Sequence, residues 1–553
     1  MTIQTIAQWV AAQLAAWGVK AIYGVPGDAI LPLLAAFEAH PDLQFYSVIH
    51  EATAAFMAAA HAKYTGELGV CVATSGPGIA NLLNGLMDAK KDQAPVLALT
   101  GQVASNNLDT NYKQAADANL LLLPAVGFSG LAASAAAVND LLVKALRSSV
   151  AQGQPAHLAI TKDLWSFPTT QPVRPPEPYL NTKPQSSPAV IDGVLPLLNR
   201  AEQPAILAGR GCSGLGPLLL DFATHWESGI TLTMPAKGVV PDAHPLVLGG
   251  LGPGGSEASS RMLAEADLLL IAGATWWPEL YLPDQLSIVQ IDAIPEKIGG
   301  PIPVTYGIVG DLMELLPRLQ EGIHKKEKPH WQRRLQEWKA DWQASIAPEY
   351  EATGSPVPPG RVIKAIEAAV NEDAVICLDV GDHTVWFNRL FRGTRQKVLV
   401  SGSWRSMGFG LPAALSVKLA VPERQVIAVV GDGGLAQSLA DFCTAIRYQL
   451  PIKVIVFKND WWAMERDQME LMALDYGVTR LHTPDFAAFA RACGGKGYTV
   501  NDAAELDPVL NMTLSSPEPT IVQIHTAAPI FPGLVSQLTR ENKQQERREL
   551  VWV

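Results

Sequence analysis

Short apolar, β-branched runs alternate with Ala- and Leu-rich stretches of helical character along almost the whole chain. AIYGV, FYSVIH, LGVCVAT and PVLALTG fall in the first third, and AILAG, LLLIAG and SIVQID in the middle. VICLDV, QVIAVVGDGG, IKVIVFKND and TIVQIHT complete the series. Strands alternating with helices predict βαβ units, hence an α/β fold of doubly wound parallel sheets. Two stretches break the rhythm. Near 165–188, FPTTQPVRPPEPYLNTKPQSSP is Pro-rich and reads as a linker. Between about 324 and 360 lies one amphipathic helix with Trp331, Leu335, Trp338 and Trp342 on a single face, followed by a Pro/Gly exit. That Trp stripe reads as a packing face.

Length fits this division. A chain of 553 residues exceeds what one core accommodates, which stops growing near ~250–300 residues. The breaks give three domains, 1–170, 186–325 and 356–535, and a charged tail, 536–553, that is either a solvated helix or a flap. A net charge of −11 favours neither a nucleic acid nor an anionic membrane as partner. No apolar run reaches the ~18–20 residues of a membrane span. The N-terminal MTIQTIAQWVAAQLAAWGV lacks a basic start and reads as a first amphipathic helix, not a signal peptide. Cys71, Cys212, Cys377, Cys443 and Cys493 are odd in number, scattered and set in apolar surroundings. They are expected to be buried thiols of a cytoplasmic protein.

The third segment carries the strongest chemical signal. A buried strand, VIAVV, runs into Gly431, Asp432, Gly433 and Gly434, followed by a helix read over LAQSLADFCTAIRYQ. A second strand, IKVIVF, ends at Asn459. Glycines at a strand end let the backbone approach a diphosphate, and the next helix N-terminus favours negative charge. Asp432 and Asn459, at the tips of neighbouring parallel strands, supply two oxygen ligands for octahedral Mg²⁺, and a backbone carbonyl near Trp461 a third.

This pattern resembles the thiamine-diphosphate signature of the pyruvate oxidase, acetolactate synthase and pyruvate decarboxylase superfamily, whose final Asn-Asn is Asn459-Asp460 here. The resemblance covers nearly the whole length. Gly24-Val25-Pro26-Gly27 is similar to the early G-x-P-G loop, and His50-Glu51 to the strand-end H-E. Thr74-Ser75-Gly76-Pro77-Gly78, with Asn81, matches the S-G-P-G turn. Asp379-Val380-Gly381, followed by His383, and Ser406-Met407-Gly408 match two further motifs. The resemblance implies two thiamine-diphosphate-binding folds flanking a Rossmann-like central domain. It implies that Glu51 hydrogen-bonds the aminopyrimidine and so promotes loss of the thiazolium proton, with Met407 as the wedge that keeps the cofactor bent. It implies a site shared between subunits, so a homodimer at minimum, commonly doubled to a homotetramer. The substrate it implies is a small 2-oxo acid, pyruvate first.

The acceptor stays open. Gly209-Arg210-Gly211-Cys212-Ser213-Gly214 is a G-x-G-x-x-G after strand AILA, but ITLTMPAKG offers no acidic residue at the next strand tip, which discounts NAD. Similar segments in pyruvate oxidases and anabolic acetolactate synthases hold FAD. This one shares Ala236-Lys237-Gly238 and the Gly-rich stretch 249–255, yet carries Ile294 where FAD-binding relatives have a polar residue. Lys113-Gln114 stands where pyruvate oxidases carry Phe-Gln, so both are candidates for the substrate pocket. Lys113 either pairs with a carboxylate, phosphate or sulfonate or points to solvent. Met464 stands where acetolactate synthases often have Met or Leu. Three readings follow: a pyruvate oxidase-like enzyme, which the middle segment favours; an acetolactate synthase-like carboligase; and a non-catalytic relative, against which Glu51, Asp432 and Asn459 argue.

Overall fold

Three six-stranded sheets, every pairing within them parallel, account for the alternation. The computed structural model describes residues 3–176, 184–275, 279–283, 285–300, 302–535 and 537. Apart from Gln537, the tail 536–553 lies outside the described residues, as does the middle of the Pro-rich stretch. In chain order the first sheet uses Ala21–Gly24, Gln44–Ser47, Gly69–Ala73, Val96–Gln102, Phe128–Ala132 and Ala156–Thr161. Their spatial order is second, first, third, fourth, sixth, fifth. The third sheet, from Val375–Leu378 to Thr520–His525, repeats that order. The central sheet, from Pro204–Ala208 to Tyr306–Val309, runs third, second, first, fourth, fifth, sixth, the Rossmann order. The chain is thus an α/β protein with two like folds flanking a Rossmann-like one.

The two outer sheets reverse direction between their first and third strands and the central one between its first and fourth, and ligands bind in the crevice outside the carboxyl ends at such a switch point. The glycine turns, Glu51, Asp432 and Asn459 all follow strand ends.

The first and third domains share a core. Ala54–Ala62 on helix Glu51–Thr65 pack with Leu411–Val417 on helix Gly410–Ala420, where small side chains permit close approach. Ser416 Oγ donates to Met57 O at 2.8 Å and Tyr23 Oη at 3.2 Å across this seam. The Trp-bearing helix, Pro329–Glu351, buries Trp331, Leu335 and Trp338 in the central core and Ile346 and Tyr350 in the third, with Trp342 half-buried between them. Among the described residues no helix is long and apolar enough to cross a membrane.

Three expectations need correction. The start of the expected linker is fastened down: Pro168–Thr169 pairs with Gln4–Thr5, and Arg174 O accepts from Gln13 and Trp17 of the first helix. The helix expected after the glycine turn is two, Asp432–Ser438 and Phe442–Arg447, separated by a 3₁₀ turn at Leu439–Asp441. At this break Asp441 shares its carboxylate between the first domain, Ile49 N at 2.8 Å and Thr53 Oγ1 at 2.5 Å, and Thr444 Oγ1 of the second helix at 2.8 Å. Finally, only Cys71, Cys212 and Cys377 are buried; Cys443 and Cys493 are half-buried and adjacent, a pairing that a separation of 50 positions conceals.

Candidate active site

In the first domain, the loop after Ala21–Gly24 and the turn after Gly69–Ala73 meet at the switch point. A Cβ on Gly27 would lie 2.4 Å from Thr74 Cβ, so only glycine permits this approach. Glu51 opens its helix, and the preceding residue, His50, caps it by accepting from Ala52 N through Nδ1 at 3.1 Å. Asn81, one turn into helix Pro77–Lys91, donates to Glu51 Oε2 at 2.9 Å, which fixes the half-buried carboxylate. Gly76 adopts φ +65° with its open side 3.0 Å from Gln114 Cα, so Gln114 backs onto the S-G-P-G turn. Lys113 and Pro26 are exposed at the same rim. Glu51, Asn81, Gly27, Gly76 and Gln114 thus form one neighbourhood.

The third domain holds the second neighbourhood. Asp432 is 3% exposed; its Oδ1 accepts from Gly433 N at 2.8 Å, and its Oδ2 from Asp460 N at 2.7 Å and Asn459 N at 3.2 Å. Burial pushes this carboxyl above its ordinary range. Asn459 Oδ1 accepts from Trp461 N at 3.1 Å. Two hard oxygen donors therefore sit on adjacent strand tips, a donor set suited to Mg²⁺ rather than to a softer metal. Among the described residues no cluster of three or more His, Cys, Asp or Glu forms an alternative metal site. Gly433 is required for packing, since a Cβ there would sit 2.3 Å from the Trp462 ring. Asp379, fully buried and pushed up to about 6 by burial, accepts from Val380 N at 2.7 Å and Gly408 N at 3.0 Å. It joins the Val380-Gly381 turn to the Met407 loop. His383 is held neutral, its pKa lowered to about 3 by burial.

A cavity of about 910 Å³ ties this neighbourhood to the central domain. Gly381, His383, Met407, Gly431–Gly434, Asn459, Trp461 and Met464 line one end; Arg210, Gly211, Gly273, Asp292 and Ile294 line the other. Its size is at the upper end of small-ligand sites, roughly 300–1,000 Å³. His383 Nε2 and Asp382 Oδ1, both buried at this wall, have no hydrogen-bond partner among the described residues. A ring nitrogen left open beside a glycine turn lies where a diphosphate oxygen could come, and donates to it only in the tautomer protonated on Nε2. Glu51, Asn81, Gly27, Gly76 and Gln114 do not line this cavity.

Sequence reasoning missed what holds the Met407 loop. Helix Pro77–Lys91 and its cap present Asn84, Asp88 and Asp92 in a row below Asn81. Asn84 accepts from Trp404 Nε1 at 2.8 Å and donates to Ser406 Oγ at 2.9 Å. Asp92 accepts from Gly402 N and Ser403 N at 2.8 and 2.9 Å. Lys63 Nζ, its side chain 3% exposed, lies 2.6 Å from both Asp88 and Asp92. Burial pushes Asp88 up to about 6; at Asp92 burial is outweighed by Lys63, Arg210 and the loop amides, which hold it below the ordinary range. Removing the shared cation strands two buried carboxyls. Lys63→Met is expected to cost about 3–5 kcal/mol of stability, read by urea unfolding; a loss under about 1 kcal/mol would mean the carboxyls are solvated.

Comparison with known proteins agrees with this layout. Residues 4–121 match the family description "Thiamine pyrophosphate enzyme, N-terminal TPP binding domain", 191–319 the central domain of the same enzymes, and 379–524 their C-terminal TPP binding domain. YdaP of Bacillus subtilis, which bears a provisional name as a thiamine pyrophosphate-containing protein, is 37% identical over 97% of this chain and 94% of its own. Pyruvate oxidase of Lactiplantibacillus plantarum is 29% identical, covering 92% of this chain and 86% of its own. The acetolactate synthase large subunit of Parasynechococcus marenigrum is 30% identical, covering 92% and 85%.

Proposed function

This chain belongs to the thiamine pyrophosphate enzyme family, and on that premise we propose that it decarboxylates a small 2-oxo acid, pyruvate first, and passes the two-carbon unit to an acceptor in the manner of a pyruvate oxidase. The continuous cavity between the Gly431–Gly434 turn and the central glycine turns supports a second cofactor such as FAD near the thiamine site, and the oxidase reading is preferred over a flavin-holding synthase on the likeness of the middle segment, Gly209–Gly214 and Ala236–Gly238, to that branch. Thiamine diphosphate, when bound, supplies the electron sink for decarboxylation.

The residues divide the remaining work. Asp432 and Asn459 would hold Mg²⁺ through side-chain oxygens, with the Trp461 carbonyl as third ligand, and Gly431, Gly433 and Gly434 would admit the diphosphate to the backbone. His383 would donate through Nε2 in the tautomer protonated there. Glu51, oriented by Asn81, would hold the proton shared with the aminopyrimidine nitrogen. Met407 would keep the cofactor bent, its loop held by Asn84 and Asp92. Gln114 would face the substrate, with exposed Lys113 paired to an anionic group. Because Glu51 and Asn81 lie outside the cavity that Asp432 lines, a second copy would complete each site, making a homodimer the minimal unit and a homotetramer its doubling.

The second reading is an acetolactate synthase-like carboligase. It is favoured by Met464 at the cavity wall and by the apolar Ile294 at its flavin end. Absorption between 350 and 500 nm, with pyruvate, thiamine diphosphate and Mg²⁺ added without oxygen, separates the two. A flavin band that bleaches is expected; an unbleached band, or no band with acetolactate accumulating, would replace the oxidase reading with the carboligase.

A further inference from the structure

Two of the five thiols meet at the surface of the third domain, away from the cavity. Cys443 stands on helix Phe442–Arg447 and Cys493 at the C-terminal end of helix Phe486–Ala492, with their sulfurs 3.5 Å apart. Both are half-buried. Cys71, Cys212 and Cys377 are fully enclosed, burial pushes each thiol well up, and none has solvent access to an oxidant. Neither Cys443 nor Cys493 lines the cavity, and the proposed mechanism uses neither.

We propose that Cys443 and Cys493 form an oxidation site, closed to an intramolecular disulfide by hydrogen peroxide. One thiol, as thiolate, attacks a peroxide oxygen; the O–O bond breaks, one water leaves and a sulfenic acid remains. The second sulfur then attacks the sulfenic sulfur and expels the second water. Two thiols lose two electrons and two protons, one S–S bond forms, and the peroxide is reduced to two waters.

The geometry allows this with little movement. A disulfide needs its sulfurs about 2.05 Å apart, so the pair must close by about 1.5 Å. Helix Phe442–Arg447 is pinned at both ends. Asp441 holds Ile49 N and Thr53 Oγ1, and Tyr448 Oη accepts from Ser47 N at 2.7 Å. The Cys493 end is capped as well, Gly494 N donating to Arg491 O at 3.0 Å and Gly495 N to Ala490 O at 2.9 Å, with Gly494 at φ +92°. The short closure therefore falls on rotation of the two cysteine side chains and leaves the Glu51 turn in place. Burial and the neighbouring Cys443 raise the Cys493 thiol to about 11, so little thiolate is present at neutral pH and closure is slow. Once made, the bond encloses the 49 residues between its ends, a length at which constraining the unfolded chain raises stability.

The test uses the full-length protein with its cofactors bound, and thiol titration with 5,5′-dithiobis(2-nitrobenzoate). The reduced native protein is expected to show two reactive thiols. After hours in hydrogen peroxide it should show none, lose the mass of two hydrogens, give a Cys443–Cys493 cross-linked peptide, and recover both thiols with dithiothreitol. Its Tm should rise by several degrees. Cys443→Ser should abolish both cross-link and Tm rise, leaving Cys493 to oxidise to the sulfinic acid. Wild-type protein that accumulates sulfinic acid at either residue without the cross-link would overturn the proposal. So would a cross-link involving Cys71, Cys212 or Cys377.

Discussion

Glu51→Gln is expected to keep the fold and thiamine diphosphate binding while losing roughly 10²–10⁴-fold in turnover, the range over which a positioned general acid–base group acts. The substitution is nearly isosteric. Asn81 Nδ2 now donates to Glu51 Oε2, and a glutamine can turn its own Oε1 into that place, so the local hydrogen bond survives. The loss is the group's ability to hold and release a proton beside the aminopyrimidine nitrogen. Binding and catalysis should therefore separate, the dissociation constant moving little and turnover collapsing. Turnover within tenfold of wild type would remove Glu51 from the proposed activation route.

Asp432→Ala should fail earlier, at retention of the cofactor. The side chain does two things that alanine cannot. Its oxygens accept the amides of Gly433, Asn459 and Asp460, which draws the Asn459 strand tip towards the glycine turn, and they supply the proposed charged ligand for Mg²⁺. Losing a metal's second-shell partner already costs about 10–100-fold in affinity, so losing a direct ligand should exceed about 100-fold. Thiamine diphosphate titration with Mg²⁺, and again with chelator, reads this: the wild type should bind tightly only with metal, the variant weakly in both. Asp432→Asn, whose single oxygen can keep the Asn459 and Asp460 amides while giving up the charge and the Gly433 bond, distinguishes lost metal binding from a displaced strand tip. Tight, metal-dependent binding by Asp432→Ala would mean the diphosphate lies elsewhere.

The glycine turns were legible because most follow a buried strand whose apolar run announces them, whereas Glu51 follows the half-exposed edge strand Gln44–Ser47. VIAVV before Gly431 and KVIVF before Asn459 place two oxygens at neighbouring tips in the sequence as plainly as in the fold. Edge strands were less legible. Tyr306–Val309 and Lys496–Val500 are half exposed and carry the polar or glycine residues that an edge tolerates. Ala156–Thr161 is interior but carries His157, which looks unlike a strand core until Thr100 and Ser129 are found bonded to its ring nitrogens. Nothing local distinguishes Asp88 and Asp92, in MDAKKDQAP, from a solvated helix end. Their burial depends on Lys63 and on a loop some 310 residues away. The thiol pair was hidden for the same reason, since chain spacing carries no trace of a contact made by two packed helix ends.

The most direct measurement follows release of labelled carbon dioxide from pyruvate carrying the label in its carboxyl group, using protein stripped of cofactors and then resupplied. The account predicts release only when thiamine diphosphate and Mg²⁺ are both present, in the wild type and not in Glu51→Gln. Release without thiamine diphosphate, or equal release from the variant, would contradict it.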